Sequence, residues 1–264
     1  MTKKILITGA TDGIGLKTAK NLTEQGHHVL LHGRNPEKLK KVEAELSKTG
    51  NVESYVADLS DLAAVKSLAQ AIKEKHESLD VLINNAGVLK ATNTVTVDGL
   101  DIRFAVNTVA PYLLTKELLK ALGSNGRVIN LSSAAQAPVD LDALIGNRTD
   151  LDAMDAYSQS KLAITMWSRV MADDGPVVIA VNPGSLLGSK MVKDGFGIDG
   201  KDISIGADIL VYLALNDEFS DSSGKYFDND KGQFSNPHSD ALDETKCQQV
   251  VDTIEAVVSF INEF

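Results

Sequence analysis

The chain has 264 residues, is 43% hydrophobic and 23% charged, and carries a formal net charge of -10. That is the composition of a globular protein long enough for a large core, and its negative charge disfavours nucleic acid as a partner. The single cysteine, Cys247, excludes an internal disulfide or a cysteine-ligated metal cluster. No run reaches the roughly 20 apolar residues of a membrane span, and the one behind Lys3 and Lys4 is too short for a signal peptide. A cytoplasmic protein without a metal is the expectation.

In chain order, the apolar run "KILIT" predicts a first strand, and "TGATDGIG", residues 8–15, follows it. Glycine loses the most backbone entropy on folding, so three in eight residues point to a turn that something must approach closely. In "LKTAKNLTEQG", Leu16, Ala19 and Leu22 share one helical face, with Gly26 as the stop. "HVLLH" predicts a second strand. "NPEKLKKVEAELSKTG" predicts a helix with Pro36 near its start and Gly50 near its end. "VESYVA", "DVLIN", "RVINLS", "VVIAV" and "GKYF" supply five more strands, and "DLAAVKSLAQAIKEKH" another helix. This alternation predicts an α/β protein, one domain over residues 1–264, with a parallel sheet and helices on both faces. Residues 134–156 and 184–205 read as neither strand nor long helix. Both follow strands, and open parallel sheets bind ligands at strand carboxyl ends, so both are candidates for a substrate cleft.

A strand, glycine turn and helix in series place an anion against the helix N-terminus, where Cβ atoms would block it. Gly9, Gly13 and Gly15 are spaced G-x-x-x-G-x-G, not G-x-G-x-x-G, and the alternative is a tight turn that binds nothing. The spacing resembles the T-G-x-x-x-G-x-G turn of the short-chain dehydrogenase/reductase family, and later motifs follow in the family's order. That resemblance makes Gly9, Thr11, Asp12, Gly13, Ile14 and Gly15 a dinucleotide site. In "HGRN", Arg34 is suited to bind the 2′-phosphate of NADP bidentately and Asn35 adds a neutral donor. Asp12 departs from the basic residue that NADP-preferring members often carry there. In "ADLS", Asp58 followed by Leu59 matches the family's aspartate beside adenine. Read alone, Asp58 is equally a helix cap, a role for which Asp61 competes. "NNAG", residues 84–87, brings Asn85, Ala86 and Gly87 to the turn that supports the central sheet beside the cofactor.

"YSQSK" puts Tyr157 and Lys161 four apart on one helical face. An ammonium near a phenol lowers its pKa from about 10 and makes it a usable proton donor near neutrality. Alone, the pair is equally an exposed one. In "NLSS", Ser133 aligns with the family's catalytic serine; Ser132 is the competing neighbour, and Ser133 is favoured because the two side chains at a strand end point to opposite sides. Asn107, in "FAVNTVAPYLL", has poor propensity inside a helix; in relatives this asparagine holds a water against the lysine. The 24 positions from Ser133 to Tyr157 and the wording "YSQSKLA" resemble the branch of retinol dehydrogenases and protochlorophyllide reductases. The inserted loop's five aspartates argue against carrying over a lipid substrate. In "NPGSLLGSKM", Pro183 and Gly184 match the family's turn beside the nicotinamide. Gly188 stands where a threonine is usual, and Ser189 offers the hydroxyl one residue later.

The resemblance implies a doubly wound Rossmann fold, with a seven-stranded parallel sheet in the order 3-2-1-4-5-6-7. It implies an NADP(H)-dependent oxidoreductase, NADP(H) favoured over NAD(H), that interconverts a small-molecule carbonyl and an alcohol. Tyr157 would be the acid/base, with Ser133 orienting the oxygen, Lys161 holding the ribose and Asn107 a water. Relatives often pair through the helices holding Asn107 and Tyr157, while members of the retinol dehydrogenase branch can be monomers, so a monomer or a homo-oligomer is expected. The alternative on the same fold is a non-catalytic dinucleotide-sensing regulatory protein. The five histidines (27, 28, 32, 76 and 238) lack metal-ligand spacing and read as surface or packing residues.

Overall fold

Short apolar runs without a helical period form strands buried on both faces. In the structure, a computed structural model describing residues 1–172 and 175–260, these runs are β1 (Lys4–Ile7), β2 (His28–Gly33), β3 (Val52–Val56), β4 (Val81–Asn84), β5 (Arg127–Leu131), β6 (Val177–Asn182) and β7 (Tyr226–Asp228). They pair in parallel in the order β3-β2-β1-β4-β5-β6-β7, as expected. The sheet has eight strands rather than seven: β8 (Gln233–Ser235) returns antiparallel to β7 and forms the edge. With only Phe234 apolar, β8 carries no strand signal of its own; its pairing comes from the hairpin, which turns through Gly232 at φ +66°.

The helices are α1 (Gly13–Glu24), α2 (Pro36–Leu46), α3 (Leu62–Lys75), α4 (Ile102–Phe104), α5 (Ala110–Leu122), α6 (Leu141–Leu144), α7 (Ala153–Val170), α8 (Lys190–Phe196), α9 (Ser204–Leu215) and α10 (Glu244–Phe260). A π-helical turn, Ala105–Val109, joins α4 to α5. Alternate strand residues face opposite ways, so Ile5 and Ile7 join one core with α1, α2 and α9, while Leu6 joins the other with α3, α5, α7 and α10. On this second face α10 lies across α7, burying Val250, Ile254 and Val258 in the core that holds Met166 and Trp167. Glu255 of α10 accepts from Lys116 Nζ and Tyr112 Oη of α5. The two stretches without regular pattern contain α6 and α8, both short; no residue of α8 is buried, which is why no apolar period announced it.

Side-chain caps fix the helix starts on the functional edge. Asp12 accepts from Gly13 N at 2.8 Å, Asn35 from Lys38 N at 2.9 Å and Asp61 from Ala63 N at 2.9 Å. The capping aspartate of α3 is thus Asp61. Asp58 accepts from Ser60 instead, through its backbone amide and its hydroxyl.

Candidate active site

The carboxyl ends of the strands open onto a cavity of about 440 Å³. The glycine turn forms one wall, through Gly9, Thr11, Asp12, Gly13 and Ile14. Gly9 and Gly13 hold φ of +67° and +57°, the region that favours glycine. A Cβ on Gly15 would sit 2.3 Å from both Gly9 O and Asn85 Nδ2, so Gly15 lets α1 close onto the turn and does not itself line the cavity. The turn is braced from behind: Asn85 Nδ2 donates to Thr8 O at 2.8 Å and Gly9 O at 3.1 Å, and Ala10 N donates to His32 O at 2.8 Å. The amides of Ile14 and Gly15, in the first turn of α1, have no intrahelical acceptor.

His32, read from sequence as a packing residue, is part of this brace. Gly9 N donates to its Nδ1 at 3.2 Å, so Nδ1 is the acceptor and Nε2 carries the proton that meets Ala57 O at 3.1 Å. It is 2% exposed, and burial lowers its pKa to about 4. The available signal was a histidine ending the apolar run Val29-Leu30-Leu31.

Arg34, Asp58 and Leu59 line the cavity past β2 and β3, and Ala86 and Gly87 past β4. Asn35 does not join the wall; its side-chain oxygen is taken by the α2 cap. Asp12, the departure from the NADP-type turn, caps α1 while its residue remains on the wall. Pro183 lines the cavity. Gly184, at φ +124°, turns the chain just off the wall. Ser189 lines the cavity and caps α8, accepting from Val192 N at 3.3 Å. Gly188 replaces a larger residue for a steric reason: a Cβ there would lie 2.9 Å from Asp199 O.

Tyr157 and Lys161 reach the cavity from one face of α7. Lys161 Nζ lies 5.6 Å from the centroid of the Tyr157 ring and donates to Leu131 O at 2.6 Å. Ser132 lines the cavity and Ser133 does not. Ser132 Oγ is buried in a network with Lys161 O at 3.0 Å and Thr165 Oγ1 at 2.6 Å. Ser133 Oγ accepts from Ala135 N at 3.1 Å and lies near enough to the Tyr157 hydroxyl to favour its ionised form. Asn107, buried in the π-helical turn, grips the loop after β4: Oδ1 accepts from Val88 N at 2.8 Å, and Nδ2 donates to Val88 O at 2.9 Å and Ser160 Oγ at 3.0 Å. A Cβ on Gly87 would lie 3.4 Å from Asn107 Oδ1 and 3.6 Å from Lys161 Nζ, so the asparagine and the lysine flank one glycine.

One expectation is corrected. The nearby ammonium does not lower the Tyr157 pKa in this structure. Burial raises it, and the neighbouring Ser133 side chain only partly opposes that. Burial also lowers Lys161 to about 8. Spacing in sequence places the two groups together, but burial sets the direction of both shifts.

The model of the short chain dehydrogenase family matches residues 3–196. This chain belongs to the short-chain dehydrogenase family. The enzyme is 34% identical over 251 residues to human retinol dehydrogenase 13, covering 86% of this chain and 76% of that one. Its match runs to the retinol dehydrogenase branch. Among solved structures it resembles the promiscuous reductase LugOII, which catalyses keto-reduction at C1 during lugdunomycin biosynthesis: TM-score 0.67, 26% identity, 86% of this chain and 96% of that one. It also resembles a short-chain dehydrogenase from Burkholderia cenocepacia in complex with NADP: TM-score 0.68, 25% identity, 86% and 95% covered. A nicotinamide dinucleotide fits the residues present: a glycine cradle that side chains would fill, free amides at a helix start and a guanidinium at the end of β2.

Proposed function

We propose that this short-chain dehydrogenase reduces a small-molecule aldehyde or ketone with NADPH, and runs the reverse oxidation of the alcohol with NADP. The observation that carries the reading is the Tyr157 phenol lining the cavity, with Lys161 Nζ 5.6 Å from its ring and Ser133 beside it. The bound dinucleotide supplies or takes the hydride. Tyr157 holds the proton to be delivered to the carbonyl oxygen. Its raised pKa keeps the phenol protonated at neutral pH, which suits the reductive direction. Ser133 Oγ orients that oxygen. Lys161, with a pKa of about 8, is mostly cationic at pH 7 and would hold the nicotinamide ribose. Asn107 fixes Val88 and Ser160 around it. Arg34 supports the 2′-phosphate of NADP over the bare hydroxyl of NAD.

The test is NADPH oxidation with a panel of aldehydes and ketones, for the wild type and Tyr157→Phe. The variant should bind NADPH as the wild type does and lose turnover by at least ~10²-fold, the contribution of a general acid. Full activity in Tyr157→Phe would end the proposal. The same reading extends to assembly. With α10 packed over α7 and tied to α5 through Glu255, a monomer is the expected state of the two the sequence allows; light scattering should return the mass of one chain, and a dimer would contradict this.

A further inference from the structure

The loop joining β7 to β8 reaches back to the start of the segment beside the cavity. Asp230 Oδ1 accepts from Ser185 N at 3.0 Å, and Oδ2 accepts from Ser185 Oγ and from Asn182 Nδ2, the latter at 2.8 Å. Lys201 Nζ lies 4.0 Å from Oδ1 of the same carboxylate. Asn229 Nδ2 donates to Pro183 O at 2.9 Å. Between Ser185 and Lys201 the chain leaves and returns: Lys201 N donates to Leu186 O and Gly188 N to Lys201 O, each at 2.7 Å. Residues 186–201 are thus a flap closed at its base.

Packing alone cannot hold this flap. Leu187 is its single buried residue, and α8, at its tip, buries none. Yet Ser189, Met191 and Asp194 of the flap line the cavity, and Lys90 Nζ meets Asp194 O at 3.1 Å across it. The base is also strained. Leu186, at φ +57°, is the one non-glycine with positive φ among the described residues. Strain there persists only when surrounding contacts over-determine the backbone.

We propose that Asp230 is a positioning residue of the active site, one carboxylate that anchors both ends of the flap and the Pro183-Gly184 turn between the sheet and the flap. This rests on the proposed dinucleotide-dependent function. Burial raises the Asp230 pKa, but the hydrogen bonds from Ser185 and Asn182 carry it below the ordinary carboxylate range, so the anchor is anionic at neutral pH. Asp230 touches no reacting atom; it acts through the turn and the flap.

Hydrogen exchange of residues 183–203 and stopped-flow release of NADPH test this in the wild type, Asp230→Ala, Asp230→Asn and Ser185→Ala. Asp230→Ala should exchange and release NADPH about tenfold faster, the scale of one charge-assisted hydrogen bond, with KM for NADPH rising more than kcat falls. Asp230→Asn keeps one acceptor oxygen for Ser185 N but turns an amide donor toward Asn182 and loses the charge, so it should fall between the wild type and Asp230→Ala. Ser185→Ala leaves every charge in place and reads the same hinge should Asp230→Ala fold poorly. Wild-type exchange in both alanine variants overturns the anchor. Faster exchange with unchanged NADPH release and KM overturns its role in the site. If the wild type binds neither NADPH nor NADH, the dinucleotide reading fails and the positioning role with it, while the exchange data still show whether the hinge exists.

Discussion

Mild acid should weaken this fold through His32. The ordinary histidine pKa is 6.5, and burial places His32 at about 4. Above pH 6.5 the imidazole is neutral in both folded and unfolded chains and contributes no pH dependence. Below 6.5 the unfolded chain takes up a proton that the folded chain refuses until about pH 4, so stability falls as pH falls through this window. The gap corresponds to about 3 kcal/mol in full, of which about 2 kcal/mol is lost by pH 5. The structural cause is direct. A protonated Nδ1 would point a hydrogen at Gly9 N–H, where the turn needs an acceptor. Urea unfolding followed by Trp167, the only tryptophan and fully buried, measures this at pH 7.5, 6 and 5. His27 and His76 also have lowered pKa values, so the diagnostic quantity is the difference from His32→Asn, which keeps an acceptor but cannot titrate. The wild type should lose about 2 kcal/mol more than His32→Asn between pH 7.5 and 5. Equal losses, or an NMR titration of the His32 ring centred near pH 6.5, would refute the reasoning.

Gly15→Ala would drive a methyl to 2.3 Å from Gly9 O, so it should destabilise the protein by about 1–3 kcal/mol and weaken NADPH binding; a wild-type urea midpoint would show that the turn can yield. Arg34→Asp should raise the KM for NADPH by about tenfold or more while leaving or improving that for NADH, because an acidic residue there repels the 2′-phosphate and accepts from a free 2′-hydroxyl; an unchanged KM ratio would remove Arg34 from cofactor choice.

What the sequence disclosed tracks what is local. The run Ile5-Leu6-Ile7 needs no partner to be recognised as a strand, and the glycine turn carries its own steric argument. Alternation past the end of β5 predicts that Ser132 and Ser133 face different ways; the structure buries Ser132 Oγ against α7 and sets Ser133 beside Tyr157, although it is Ser132 that lines the cavity. The hidden parts depend on contacts between distant segments. His32 matters because parallel pairing of β1 with β2 carries it past Ile7 to Gly9, which no window around residue 32 contains. The flap escaped because α8 buries nothing, and β8 because three residues pair only after β7 exists. The Tyr157 pKa was misjudged in direction because spacing reports charge and not burial.

The precision of the site comes from polar ties rather than from hydrophobic packing. Apolar burial is non-directional, so Leu162, Ala163 and Met166 could hold α7 against the core over a range of small slides. Three buried connections to β5 and the residue after it remove that freedom. Asn130 Nδ2 donates to Ser168 Oγ at 2.8 Å, Ser132 Oγ meets Lys161 O and Thr165 Oγ1, and Lys161 Nζ meets Leu131 O. Asn130 is itself held by Asn84 Nδ2 at 2.8 Å across the β4–β5 pair. Any slide of the helix breaks these together, and each buried group left unpaired costs about 1–3 kcal/mol. Tyr157, the proposed acid, projects from α7, and Ser133 lies two residues past the end of β5. The same ties that register helix on strand therefore fix the phenol against the hydroxyl, so their geometry exists before substrate arrives.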